Sequence, residues 1–173
     1  MGQRTQIHIK KDEQFYVIHN QWGYGHNMMN DVQKIIDAGL FDGANIKDLL
    51  LPFISGDGSY YSLDQGDNNN GVFLLDCDSK SYCFLAGNED INYVTIHAPF
   101  NCKKVLNAVE YLEIWYKEDL EKAEAIENLF KDNGYSLMTN YKWNTGNLAS
   151  TFITQSKAFI KISVENENAY ESY

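Results

Sequence analysis

The sequence predicts an α+β fold, with an antiparallel sheet of mixed strand order carrying one long helix and one or two short helices. Short β-rich runs occur near the start, in the middle and near the end of the chain. Residues 103–132 have apolar side chains at helical spacing instead. Strands and helices do not alternate along the chain as they do in βαβ proteins, so a parallel sheet is not predicted.

An N-terminal hairpin is the first predicted element. "RTQIHIK" alternates polar and apolar residues, "FYVIHNQ" is a second β-rich run, and the polar "KDEQ" between them predicts a turn. A turn of this length places Gln6 opposite His19, with His8 on the same face of the sheet. A slip of one residue would send His8 and His19 to opposite faces. The sequence leaves both registers open.

A short helix over residues 28–38 follows the hairpin. Asn27 is its candidate N-cap, Asp31 is expected to complement the dipole in its first turn, and Gly39 is a suitable stop. Its apolar stripe consists of Met28, Met29, Val32, Ile35 and Ile36. "NIKDLLLPFI" then predicts a helical turn that ends at Pro52.

A central meander is predicted from "GVFLLD", "SYCFLAG" and "NYVTIHA". The 103–132 segment that follows predicts the long helix, or a pair of helices, stopped by "DNGY". "YSLMTNYKW" and "STFITQSKAFIKISV" predict a C-terminal hairpin. We expect one domain over residues 1–164 and a flexible acidic tail over 165–173.

Composition and charge restrict the classes of function that can be expected. The chain has 14 basic and 24 acidic residues, a net charge of −10, and a single arginine, Arg4. Binding to nucleic acid or to an anionic membrane surface needs a basic patch, so neither is expected. Three cysteines without a CxxC pair and the lack of an apolar leader or span favour a cytoplasmic protein. The richness in Lys, Asn, Ile and Tyr is typical of bacterial or phage accessory proteins.

The segment "HNQWGYGHNMMND", residues 19–31, is the best candidate site. Its aromatic rings can stack on a flat ligand, its polar side chains can read the ligand's edge, and its glycines allow close approach. The helix that follows offers main-chain N–H groups to an anion. The candidate ligand-binding residues are His19, Asn20, Gln21, Trp22, Gly23, Tyr24, Gly25 and His26.

We therefore expect a non-enzymatic binding or sequestering protein with a pocket for a small nucleotide-like or aromatic ligand. The first alternative is an acidic protein-interaction module or an inhibitor of a partner protein. The second is an enzyme that uses Cys102 with His97, or His19 with His26. The histidine spacing does not predict a metal site, and no cofactor is expected. A homodimer formed through an edge strand or the long helix is also expected.

Overall fold

A computed structural model describes residues 4–54, 61–62, 70–85 and 105–138. Within these residues the fold is α+β, with one mixed sheet and four α-helices. The strands are β1 (Thr5–Lys11), β2 (Gln14–Asn20), β3 (Tyr61–Ser62), β4 (Val72–Asp76), β5 (Ser81–Leu85) and β6 (Ser136–Leu137). The helices are α1 (His26–Asp37), α2 (Ile46–Ile54), α3 (Ala108–Trp115) and α4 (Leu120–Asp132). The strand order is β3-β2-β1-β4-β5-β6.

The N-terminal hairpin is confirmed, and its register is the first of the two considered. Gln6 lies opposite His19 and Lys11 opposite Gln14, so Gln6, His8 and His19 share one face. The two residues at the tip, Asp12 and Glu13, have φ of 54° and 64°. Both values are typical of a type I′ turn, whose twist matches that of a two-stranded ribbon.

The prediction of a purely antiparallel sheet is wrong. β1 pairs in parallel with β4, and β5 pairs in parallel with β6. Parallel neighbours need a long crossover connection, which here runs from β2 through α1 and α2 back to the sheet. Since β2 lies between β1 and the helices in the sequence, β1 is not directly followed by a helix. The parallel pairing therefore cannot be recognised from a βαβ pattern.

The predicted meander is confirmed for its first two strands. β4 and β5 pair antiparallel, with Leu74 opposite Cys83. The third predicted strand, at residues 92–98, lies outside the described residues. So do the C-terminal hairpin beyond residue 138 and the tail at 165–173.

The continuous helix predicted for 103–132 is wrong, and the pair of helices is what forms. α3 begins at a capping box in which Asn107 and Glu110 exchange side-chain and main-chain hydrogen bonds. Between α3 and α4, Lys117 and Asp119 adopt φ of 62° and 55°, which interrupts the helical path. The apolar periodicity continues across this bend, so the sequence pattern does not reveal it.

The helix predicted at 28–38 is confirmed as α1, which is stopped by Gly39 at φ 104°. Its N-cap is Gly25 rather than Asn27, since α1 already begins at His26, and the Asn27 amide donates to the main-chain oxygen of Trp22 at 2.9 Å. The predicted end of the next helix at Pro52 is also wrong, since α2 continues to Ile54.

Aromatic packing joins the helices to one face of the sheet. The Phe130 ring stacks on Tyr82 with centroids 4.3 Å apart, and Tyr111 stacks on Phe84 at 5.4 Å. Phe73, Phe84 and Phe130 are all completely buried. Burial of side chains of this size stabilises a fold by roughly 1.5–3 kcal/mol each, so this cluster fixes α3 and α4 on the sheet.

Candidate functional site

The loop between β2 and α1 carries most of the predicted site, and its first anchor is Asn20. This side chain is buried, and its amide donates to the Asp31 carboxylate at 2.8 Å. Its carbonyl oxygen accepts the Trp22 main-chain N–H at 2.9 Å. Asp31 therefore lies inside α1, bound to Asn20 and 3.6 Å from the Lys34 ammonium, rather than in the first turn where we expected it.

Gly23 is required by packing within the protein. A Cβ at this position would lie 2.1 Å from the Thr5 hydroxyl and 2.8 Å from the Asn20 amide nitrogen. The loop thus lies directly against β1, and only glycine fits. The space beside Gly23, which the sequence analysis assigned to a ligand, is filled by these two side chains.

Gly25 is likewise surrounded by the protein itself. It adopts φ 61°, and a Cβ there would lie 3.0 Å from Cβ of Tyr116. Burial raises the pKa of the Tyr111 hydroxyl, the Gly25 main chain acts to lower it, and that hydroxyl donates to the Asn70 main-chain oxygen at 2.6 Å. Gly25 is buried and lies beside Tyr111 and Tyr116, so its main chain faces the protein.

The aromatic side chains of the loop lie at its outer surface. The indole of Trp22 is 43% exposed, although its main-chain N–H and C=O are both hydrogen-bonded within the loop. His26 packs on Tyr116, with ring centroids 4.6 Å apart and planes tilted by 51°. Tyr24 is half-buried. We call Trp22, Tyr24, His26 and Tyr116 the aromatic corner.

The aromatic corner also holds an unusual nitrogen atom. Nδ1 of His26 is buried and has no hydrogen-bond partner among the described residues. Most buried polar atoms in folded proteins are hydrogen-bonded, so such an atom calls for an explanation. Loss of hydration, and then the carboxylates of Glu118 and Asp119, raise the pKa of the neighbouring Tyr116. The corner is therefore in a negative electrostatic environment.

The predicted residues that precede Trp22 do not join the aromatic corner. His19 is buried and shares a face with Gln6, whereas Asn20 faces α1. Side chains alternate along a strand, so His19 and His26 lie on opposite sides of the sheet and do not form an acid–base pair. Gln21 accepts a hydrogen bond from Arg4 Nε at 3.4 Å, next to the loop.

The face that carries His19 also carries His8. Nε2 of His8 lies 2.7 Å from the Gln6 side-chain oxygen. Burial lowers the pKa of His8 to about 3, so this imidazole is neutral at pH 7. The pair Cys102 and His97 lies outside the described residues.

Tyr116 is the contributor to the corner that sequence reasoning missed. It lies far from His26 in the sequence, with β3, β4 and β5 between them, and it reaches the corner because α3 ends there. Its place in an apolar helical stripe indicated only core packing. No local signal in the sequence could have identified it.

The described residues contain no group of three or more His, Cys, Asp or Glu side chains that could hold a metal ion. None of the helices in this part of the chain is long and apolar enough to cross a membrane. The chain has no match among protein-family models, curated proteins or solved structures.

Proposed function

We propose that this chain is a non-enzymatic binding or sequestering protein that takes a small aromatic ligand on its aromatic corner. The observation that carries the proposal is the 43% exposure of Trp22 on a loop whose main chain is hydrogen-bonded on both sides of that residue. An aromatic ring held outward by a rigid loop loses little freedom on binding, and this favours affinity.

Electrostatics narrow the ligand class to a base-like or nucleoside-like ring that is uncharged or cationic. The carboxylates of Glu118 and Asp119 act on Tyr116, and the whole chain carries a net charge of −10. Gly25, whose N–H could have received a phosphate, is buried beside Tyr111 and Tyr116. A phosphorylated nucleotide is therefore a poorer ligand than the nucleoside from which it derives.

The buried nitrogen of His26 supports recognition by hydrogen bonding as well as by stacking. Nδ1 lacks a partner among the described residues and lies beside the Tyr116 ring. A ligand with a polar ring edge could supply that partner only if the His26 ring turned to bring Nδ1 to the surface, whereas a purely apolar ring would leave the nitrogen unsatisfied. Purines, pyrimidines and their nucleosides carry such edges.

The test is a binding screen with nucleobases, nucleosides and the matching monophosphates, read by calorimetry and by ligand-induced melting shifts. Trp22→Ala should weaken nucleoside binding by about 1–3 kcal/mol, or roughly one to two decades in Kd. Leu51→Ala, which truncates another exposed apolar side chain (37% exposed, on α2), is the control and should leave Kd unchanged. Absence of binding by any of these compounds, or equal Kd values for Trp22→Ala and wild type, would contradict the proposal.

A second candidate function is docking of a basic partner protein on the same surface. Ile114 on α3 is 46% exposed, and this helix ends at Tyr116 of the aromatic corner. Exposed apolar side chains within an acidic surface suit such a partner. Association with a basic protein that weakens in salt and upon Ile114→Ala, together with a failed nucleoside screen, would favour this candidate. Homodimer formation stays a prediction, which sedimentation velocity at micromolar concentration can check.

A further inference from the structure

A cavity of about 270 Å³ lies at the opposite end of β1 from the aromatic corner. β1 runs from Thr5, beside the corner loop, to Lys11 in the cavity wall, a distance of about 20 Å at roughly 3.3 Å per residue. The volume equals that of roughly nine water molecules at about 30 Å³ each, which is enough for one small organic molecule. Its lining consists of Lys11, Leu40, Phe41, Gly43, Ala44, Leu49, Cys77, Lys80, Asn133 and Tyr135.

One wall of the cavity is apolar and fixed in place. Leu40 and Leu49 are buried core residues. The Phe41 ring meets Tyr135 edge-on at 5.5 Å and Phe130 at 5.6 Å, so its position is set by two other rings. Because this wall is held by the core, the cavity does not depend on a ligand to form.

The rest of the lining includes two lysines. Lys11 ends β1, and Lys80 lies in the turn between β4 and β5. Neither forms an ion pair with a carboxylate of the described residues. The whole chain has 24 acidic and 14 basic residues, so two lysines on one cavity form a positive patch in an acidic protein.

The two carboxylates that act on the cavity thiol of Cys77, those of Asp76 and Asp78, form hydrogen bonds outside the cavity. Asp76 accepts the main-chain N–H groups of Asp78 and Ser79, both at 3.0 Å, and lies 4.0 Å from Lys10. Asp78 accepts the N–H groups of Asp12 and Glu13 at the hairpin tip, at 2.7 and 3.0 Å. These bonds hold the two turns together and leave Lys11 and Lys80 available to a ligand.

Neutral polar groups complete the lining. Tyr135 is hydrogen-bonded to the Cys77 thiol. Burial raises the pKa of Cys77 to about 11, so its sulfur carries no negative charge at neutral pH to oppose an anion. Within this lining, the charged side chains are therefore both positive.

We propose that this cavity is a second ligand site, distinct from the aromatic corner, that binds a small organic monoanion with an aromatic or branched apolar body. The apolar body would lie against Phe41 and Leu49, and the anionic group would lie between the ammonium groups of Lys11 and Lys80. Charge at one end and apolar area at the other are what this lining complements. The site stands independently of the proposed function, because it shares no residue with the corner.

The test uses phenylacetate as the probe and phenylacetamide as its uncharged counterpart, with binding followed by calorimetry and by amide chemical shifts. Phenylacetate should bind and shift resonances of the cavity lining, and phenylacetamide should bind more weakly. Lys11→Gln and Lys80→Asn should each weaken phenylacetate binding about two- to fivefold, as expected for partly exposed charges. Asparagine is chosen at position 80 because Lys80 has φ 53°, which asparagine tolerates.

The matched control is Lys131→Gln, which removes one exposed positive charge from α4 outside the cavity and should leave Kd unchanged. A further variant, Ala44→Leu, fills part of the cavity and should weaken phenylacetate and phenylacetamide alike. The amide spectrum of each variant reports whether it is folded. The proposal is overturned if phenylacetate shows no binding at millimolar concentration, if phenylacetamide binds equally well, or if Lys131→Gln weakens binding as much as the cavity variants do.

Discussion

The side-chain amide of Asn20 donates to the Asp31 carboxylate at 2.8 Å, in a position where both residues are almost completely buried. This bond joins the end of β2 to the second turn of α1, and it closes the loop that carries Trp22. Buried carboxylates are costly unless hydrogen bonds compensate the lost hydration. The same hydrogen bond therefore closes the loop and compensates the lost hydration of the Asp31 carboxylate.

Asn20→Ala should lower the free energy of unfolding by about 2–4 kcal/mol. The substitution removes a hydrogen bond to a charged group and leaves that group under-solvated, and it also frees the Trp22 N–H. Urea unfolding measures the effect, and Asn128→Ala on the exposed side of α4 is the control, expected to change stability by less than about 0.5 kcal/mol. Equal stability of the Asn20 and Asn128 variants would show that the buried bond has no energetic role.

Gly23→Ala should destabilise the protein by about 1–3 kcal/mol through overpacking. The new Cβ would lie 2.1 Å from the Thr5 hydroxyl, so one of the two must move. The double variant Thr5→Ala/Gly23→Ala should recover part of the loss, with a coupling of at least about 0.5 kcal/mol in a double-mutant cycle. Strict additivity of the two substitutions would mean that Thr5 does not limit the space at Gly23.

Local patterns in the sequence predicted the elements whose determinants are themselves local. The hairpin follows from alternation and a polar turn, and the end of α1 follows from Gly39, which adopts φ 104° as a helix stop requires. The parallel pairing of β1 with β4 depends on contacts between segments about 65 residues apart, for which a pattern within either segment carries no information.

The same limit applies to the packing around the candidate site. The ligand pocket predicted at the β2–α1 loop stays a prediction, and Trp22 is 43% exposed on this loop. Gly23 and Gly25, however, serve packing against Thr5 and Tyr116, and neither partner is near them in sequence. The cavity walled by Lys11 and Lys80 draws on several distant segments, none of which has a recognisable motif.

His8 should make stability depend on pH between about 6.5 and 3. Burial holds the pKa of the folded state at about 3, against 6.5 for the exposed side chain, so the unfolded chain binds the extra proton throughout this window. Stability is therefore full above pH 6.5 and falls with decreasing pH, by up to about 1.4 kcal/mol per pH unit from this residue.

Urea unfolding at several pH values between 7.5 and 4.5 measures this dependence. His8→Gln keeps a polar side chain next to Gln6 but cannot titrate, so its stability should fall less steeply than that of the wild type. The carboxylates and the other histidines contribute equally to the pH dependence of the wild type and of His8→Gln, so their effects cancel in the comparison. Parallel pH profiles for the two proteins would mean that His8 is not buried in its neutral form.

Cys77 should react slowly with iodoacetamide at neutral pH, because burial raises the pKa of its thiol to about 11 and only the thiolate attacks. In the folded protein the labelling rate should rise about tenfold per pH unit up to pH ~9.5 without a plateau, whereas in urea the labelling rate of the same cysteine should level off near pH 8.5.

Peptide mass spectrometry assigns the label to Cys77 and separates it from Cys83, which is completely buried and should stay unmodified in the folded state. Phenylacetate should slow the labelling of Cys77 further if it occupies the cavity that this thiol lines. A plateau near pH 8.5 in the folded protein would contradict the burial of the thiol, since only an exposed cysteine ionises at its ordinary pKa.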